Sequence, residues 1–108
     1  MKRFLMPLVI LCTFVAGGPL LAAEPIAADD PVAVMLQDVR EQEKLSHDLY
    51  LLFTGLYPDQ HPGANVFPRI TQAEQRHMDA ILNLLVKYGV ADPVATDGVV
   101  SPPGEFLD

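Results

Sequence analysis

Two stretches of apolar residues at helical spacing, parted by a segment rich in proline and glycine, restrict this chain more than any other feature. Asp30-Pro31 pairs an N-capping side chain with a residue suited to the first helical position. From there Val32, Leu36, Val39, Ser46, Tyr50 and Phe53 recur on one face, and Leu45, Leu49, Leu52 and Leu56 widen it. Pro58, Pro62 and Gly63 mark a loop over residues 57–64. A second stripe follows: Phe67, Ile70, Glu74, His77, Ile81, Leu84 and Tyr88, broadened by Met78, Leu82 and Leu85, with Gly89 as the C-terminal stop. The spacing predicts helices over about 31–54 and 66–88, each about 35 Å long at 1.5 Å per residue. A short connection between two such helices makes them antiparallel neighbours, so the expected fold is all-α, an antiparallel helical hairpin over residues 30–89.

The flanks read differently. Lys2 and Arg3 precede an apolar run, Phe4 to Val15, that is too short to span a bilayer. Gly17, Gly18 and Pro19 break it, and Leu21-Ala22-Ala23 offers a small-residue cleavage site, so residues 1–23 read as a secretory signal peptide. The expected location is periplasmic or secreted, with no membrane association after cleavage. Residues 24–29 read as a linker and 90–108 as an irregular tail, whose Phe106 and Leu107 look for an apolar partner outside the chain. The one cysteine of the 108 residues, Cys12, would leave with the leader, which removes disulfide and thiolate chemistry from the mature protein. Loss of Lys2 and Arg3 takes the basic residues from 7 to 5 against 14 acidic ones, a net charge of −9. With no basic cluster, nucleic acid is excluded as an expected partner.

Polar residues on the stripes carry the chemistry. Glu43 falls in the gap between Val39 and Ser46, and Glu74 and His77 interrupt the second stripe three residues apart. Residues at that spacing lie about 5–6 Å apart at Cβ. An unpaired charge is costly to bury, so acid on the inner side of two facing helices points to a cation between them. Oxygen and nitrogen ligands without sulfur suit iron, manganese or zinc. The competing reading places Glu43 and Glu74 at the stripe edge, paired in solvent with Lys44 or Arg76. Tyr50, two turns beyond Glu43, is either a core tyrosine or a hydrogen-bond donor to a ligating carboxylate. His47 reads as a surface histidine, and His61 belongs to the loop.

Glu43-Lys-Leu-Ser-His-Asp-Leu-Tyr50 and Glu74-Gln-Arg-His77 resemble the first two helices of the ferritin-like superfamily, as in rubrerythrins and bacterioferritins. The closer resemblance is to the ferritin-like family of domain of unknown function 2202. It rests on Arg40-Glu-Gln-Glu-Lys-Leu45, Val66-Phe67, Glu74-Gln-Arg-His-Met-Asp79, Leu84-Leu85 and Tyr88-Gly89. Ser46 and His47 stand where that family usually has Ala and Arg. The resemblance implies the first half of a four-helix bundle that binds iron through Glu43, Glu74 and His77. A homodimer, or a missing second helical hairpin, would double the ligands to a di-iron site capable of ferroxidase or peroxide- and oxygen-reducing chemistry. No catalytic residue is assigned. The alternative is a non-enzymatic helical interaction module, or a truncated remnant without a complete metal site.

Overall fold

The computed structural model describes residues 23–57 and 65–107. The leader region and the tip of the interhelical loop, with His61, lie outside them. Two helices dominate: α1, Pro31–Leu56, and α2, Val66–Tyr88. The Asp30 carboxylate accepts from the Val32 amide at 2.8 Å, and Pro31 needs no partner for the donor it lacks. α1 runs two residues past the expected end, because Gly55 continues the helical geometry and the Tyr57 amide still reaches the Phe53 carbonyl at 2.9 Å. α2 stops at Gly89, whose φ of +64° is left-handed. The Gly89 amide returns to Leu85 and Val86, and Val90 returns to Leu85 at 2.9 Å, so the final carbonyls are satisfied. A Cβ at residue 89 would also meet the Pro25 ring at 3.3 Å. Pro25 is there because the segment before α1 is docked, with Ile26 donating to the Tyr88 carbonyl at 3.1 Å.

The helices pack against each other as an antiparallel hairpin: Arg40 meets Met78, Glu43 meets His77 and Phe53 meets Phe67. At the loop end, Tyr50, Phe53, Tyr57 and Phe67 form an aromatic group with ring centroids 5.5–6.3 Å apart. At the other end, Ala33, Leu36, Met78, Leu85 and Val94 form the buried apolar core.

Val94 belongs to the segment expected to be an irregular tail, and here the structure corrects the sequence reading. Ala95–Thr96 (β1) and Val99–Val100 (β2) pair antiparallel around Asp97-Gly98. Both turn residues have positive φ, +51° and +79°, as a two-residue hairpin turn of matching twist demands. The following residues lie along α1. Lys44 donates to the carbonyls of Pro102 at 3.1 Å and Glu105 at 2.8 Å, while the Gly104 amide donates to Asp48 at 3.0 Å. The Lys44 ammonium also sits 4.5 Å from the centre of the Phe106 ring, so Phe106 has a partner inside the chain.

This docking reorders α1. Arg40, Lys44 and Asp48, one turn apart, face the tail; Arg40 and Lys44 are 1% exposed. Leu45, Leu49, Leu52 and Leu56, expected to widen the inner face, are 42–55% exposed. The reason is satisfaction: the tail's carbonyls, an amide and Asp92 supply partners for the charged row.

Candidate metal centre

Glu43 comes from the middle of α1, and Glu74 and His77 from consecutive turns of α2. His77 Nδ1 lies 3.1 Å from Glu43 Oε2 and 3.2 Å from Glu74 Oε2. One ligand-capable atom from each residue falls within 4.8 Å of the others. Two atoms bound to one ion at about 2.1 Å each are at most about 4.2 Å apart, so small side-chain rotations suffice to close the triad around an ion. The carboxylates are mostly covered, and the imidazole is 58% exposed. The group therefore opens on one side of the hairpin rather than being sealed inside it.

The titration of the three groups is interlocked. A hydrogen bond with Glu74, aided by burial and by the Glu74 charge, holds Glu43 above the usual carboxylate range. The same hydrogen bond holds Glu74 below it, with further help from His77. Hydrogen bonds to Glu74 and then Glu43 raise the His77 pKa. Two acids and a base thus share protons at one point, the conflict that a divalent cation resolves.

All three predicted ligands are therefore brought together. The alternative pairing with Lys44 or Arg76 does not form: Lys44 turns to Asp48 and the tail, and among the described residues Arg76 makes no ion pair with either carboxylate. Tyr50 packs its ring against both Phe53 and Phe67, and among the described residues no hydrogen bond joins its hydroxyl to Glu43. His47 is not on open surface; its Nδ1 is 3.0 Å from Asp48 Oδ1. Burial alone would raise the Asp48 pKa, but hydrogen bonds from Lys44, His47 and Gly104, with the Lys44 charge, bring it below the usual range.

The features that sequence reasoning missed stand behind this centre. Arg40 makes a two-pronged pair with Asp92, through Nε to Oδ1 at 3.1 Å and Nη2 to Oδ2 at 2.9 Å. Its Nη1 reaches across to the Met78 carbonyl at 2.8 Å. The recurrence of Arg40, Lys44 and Asp48 at four-residue spacing was the available signal.

Comparison with known proteins extends the picture. Residues 32–102 match the model of a family described as an uncharacterized protein domain, DUF2202. The chain belongs to this family. Its match includes the docked tail as far as Pro102, so the DUF2202 domain takes in the small β-hairpin as well as the helices. The chain is also similar to an uncharacterized protein of Methanocaldococcus jannaschii, 38% identical over 85 residues. That alignment covers 77% of this chain and 42% of the relative, so the chain spans less than half the length of the protein it matches. No solved structure matches it.

Proposed function

We propose that this DUF2202 chain is a metal-binding, ferritin-like hairpin that holds iron through Glu43, Glu74 and His77, with manganese or zinc as chemically acceptable substitutes. The observation that carries the reading is the convergence of two carboxylates and an imidazole, from two helices, within 4.8 Å on an open side of the hairpin. The donor set of two oxygens and one nitrogen, without sulfur, fits a first-row divalent ion. The chemistry such an ion supplies when bound is redox and Lewis-acid chemistry at the coordination positions that three protein ligands leave open. The chain's own residues bind and orient: Glu43 and Glu74 provide negative charge, and His77 gives up its proton to become a neutral ligand.

The three ligands are half of what a di-metal carboxylate bundle uses. A second hairpin, from another copy of this chain or from another polypeptide segment, would double them to four carboxylates and two imidazoles and cover the open side. Ferrous-iron oxidation or reduction of peroxide or oxygen then becomes the expected reaction class. Export through the apolar leader sequence places this activity in the periplasm or outside the cell.

Native mass spectrometry of residues 24–108 with anaerobic ferrous iron tests the reading. A dimer carrying two irons supports it, and the Glu74→Ala/His77→Ala variant should carry none. Full iron stoichiometry in that variant rejects it. One observation favours a second reading, a helical interaction module without metal. The exposed row Leu45, Leu49, Leu52 and Leu56 borders, with Pro103 and Phe106, an apolar groove of about 490 Å³. That reading predicts partner binding that survives loss of Glu74 and His77.

A further inference from the structure

We infer that Arg40 is a positioning residue for the metal centre: its guanidinium sets the register in which Glu43 of α1 meets Glu74 and His77 of α2. The inference rests on the metal-binding reading above for its consequence, and on geometry alone for its substance. Arg40 lies three residues before Glu43 on α1, so its contacts fix the adjoining turn. Its Nη1 donates to the main-chain carbonyl of Met78, the residue immediately after His77, at 2.8 Å. One guanidinium thus joins the turn of α1 beside one ligand to the turn of α2 that carries another. Apolar interhelical contacts tolerate sliding, since they are non-directional; a hydrogen bond to a main-chain carbonyl does not.

The orientation of the guanidinium is itself fixed. Asp92 takes both remaining prongs, at 3.1 and 2.9 Å. Asp92 is held in turn by the Val94 amide, which donates to its Oδ1 at 3.1 Å, and Val94 is fully buried. The chain leaving α2 thereby folds back onto α1 and aims Arg40 at Met78. A planar fork is needed, because a lysine cannot serve the Asp92 carboxylate and the Met78 carbonyl in this two-pronged geometry. The neighbouring buried pair, Lys44–Asp48, provides the contrast. It is similarly enclosed and lies beside Glu43 in sequence, yet its side-chain bonds run within α1 and to the tail, not to α2.

The test replaces Arg40 and Asp92 together by apolar residues, Arg40→Met/Asp92→Leu, which removes the crosslink without stranding a buried charge. Cobalt(II) is the probe, read by its visible absorption and by titration. Alongside it, nuclear Overhauser contacts between the Glu43 side chain and the His77 ring are measured in the metal-free protein. Positioning predicts a folded variant whose cobalt affinity falls about 10–100-fold, the usual cost of losing a group that orients ligands. It also predicts loss of the Glu43–His77 contacts in a protein that keeps its helical content. Lys44→Met/Asp48→Leu should retain the Glu43–His77 contacts, which separates register from general damage. A folded Arg40→Met/Asp92→Leu protein with wild-type cobalt affinity and intact Glu43–His77 contacts overturns the inference. If the wild type binds no cobalt, the metal reading fails by itself, and the contacts alone decide the role of Arg40: lost, it stands; kept, it falls. Should the double variant not fold, Arg40→Lys, which keeps the charge without the fork, is judged by the same two measurements.

Discussion

At the scale of single residues, the centre is a competition between protons and a cation. Under the proposed reading, metal must displace protons from His77 and Glu43, because both have raised pKa values. Affinity for iron or cobalt should therefore weaken as pH falls. Calorimetry in buffers of different ionisation heat should show proton release that diminishes as pH rises through the His77 pKa. The metal-free protein follows different signs. His77, with its raised pKa, contributes stability that is complete below its ordinary pKa of about 6.5 and is lost as pH rises through the folded value. Glu74, with its lowered pKa, contributes stability above the ordinary carboxylate range that is lost as pH falls through its folded value. Glu43 has the sign of His77: its contribution is present on the acid side and lost as pH rises through its raised pKa. The His77–Glu74 contribution is thus largest in the window between the folded values of Glu74 and His77. It is small, because the imidazole is exposed and screened. The difference in melting temperature between wild type and His77→Ala, followed against pH, should narrow on both sides of that window; a difference independent of pH contradicts the assignment.

At the scale of elements, the tail does the work of a third layer. Lys44 and Asp48 are both buried, and each depends on the other and on residues 102–105. Lys44→Met alone leaves a buried carboxylate short of a partner and should cost about 3–5 kcal/mol. Lys44→Met/Asp48→Leu should cost markedly less, as denaturant titration can measure. Equal losses in the two variants would show that the pair is not a unit. In the apolar core, Leu85 is 1% exposed, and Leu85→Ala should cost about 2–5 kcal/mol by the same measurement. Gly89 was legible as a helix stop from sequence. The close approach of Pro25 to it was not, since that depends on where residues 24–29 return.

At the scale of the whole molecule, the open centre and the exposed leucine row leave the hairpin with more surface to cover than one pair of helices can hide. No helix among the described residues is long and apolar enough to cross a membrane. On the proposed reading, metal and association are linked: a site completed across a two-fold interface binds ions more tightly as the hairpins meet. Sedimentation of residues 24–108 should show association that strengthens with ferrous iron under anaerobic conditions and reverses with chelator. Glu74→Ala/His77→Ala should lose the metal-dependent part alone. Association indifferent to metal in both proteins favours the interaction-module reading.

Helical periodicity and capping are local, so the two helices, the start of α1 at Pro31, the end of α2 at Tyr88 and the shared face of Glu74 and His77 are legible from the residues alone. The short connection adds the antiparallel pairing; that Glu43 meets that face is an interhelical fact. Packing decided which flank of the α1 stripe is covered: Glu43, Tyr50 and Phe53 face α2 as the periodicity predicts, while the leucine flank lies open. The row Arg40, Lys44 and Asp48 reads as solvated when only its neighbours in sequence are considered. It is buried because Asp92 and the backbone of residues 102–105, more than fifty positions away, supply the partners that make burial of charge affordable. The leucines turned outward for the same reason: the tail selected α1's charged row, and a helix has only one rotation to give.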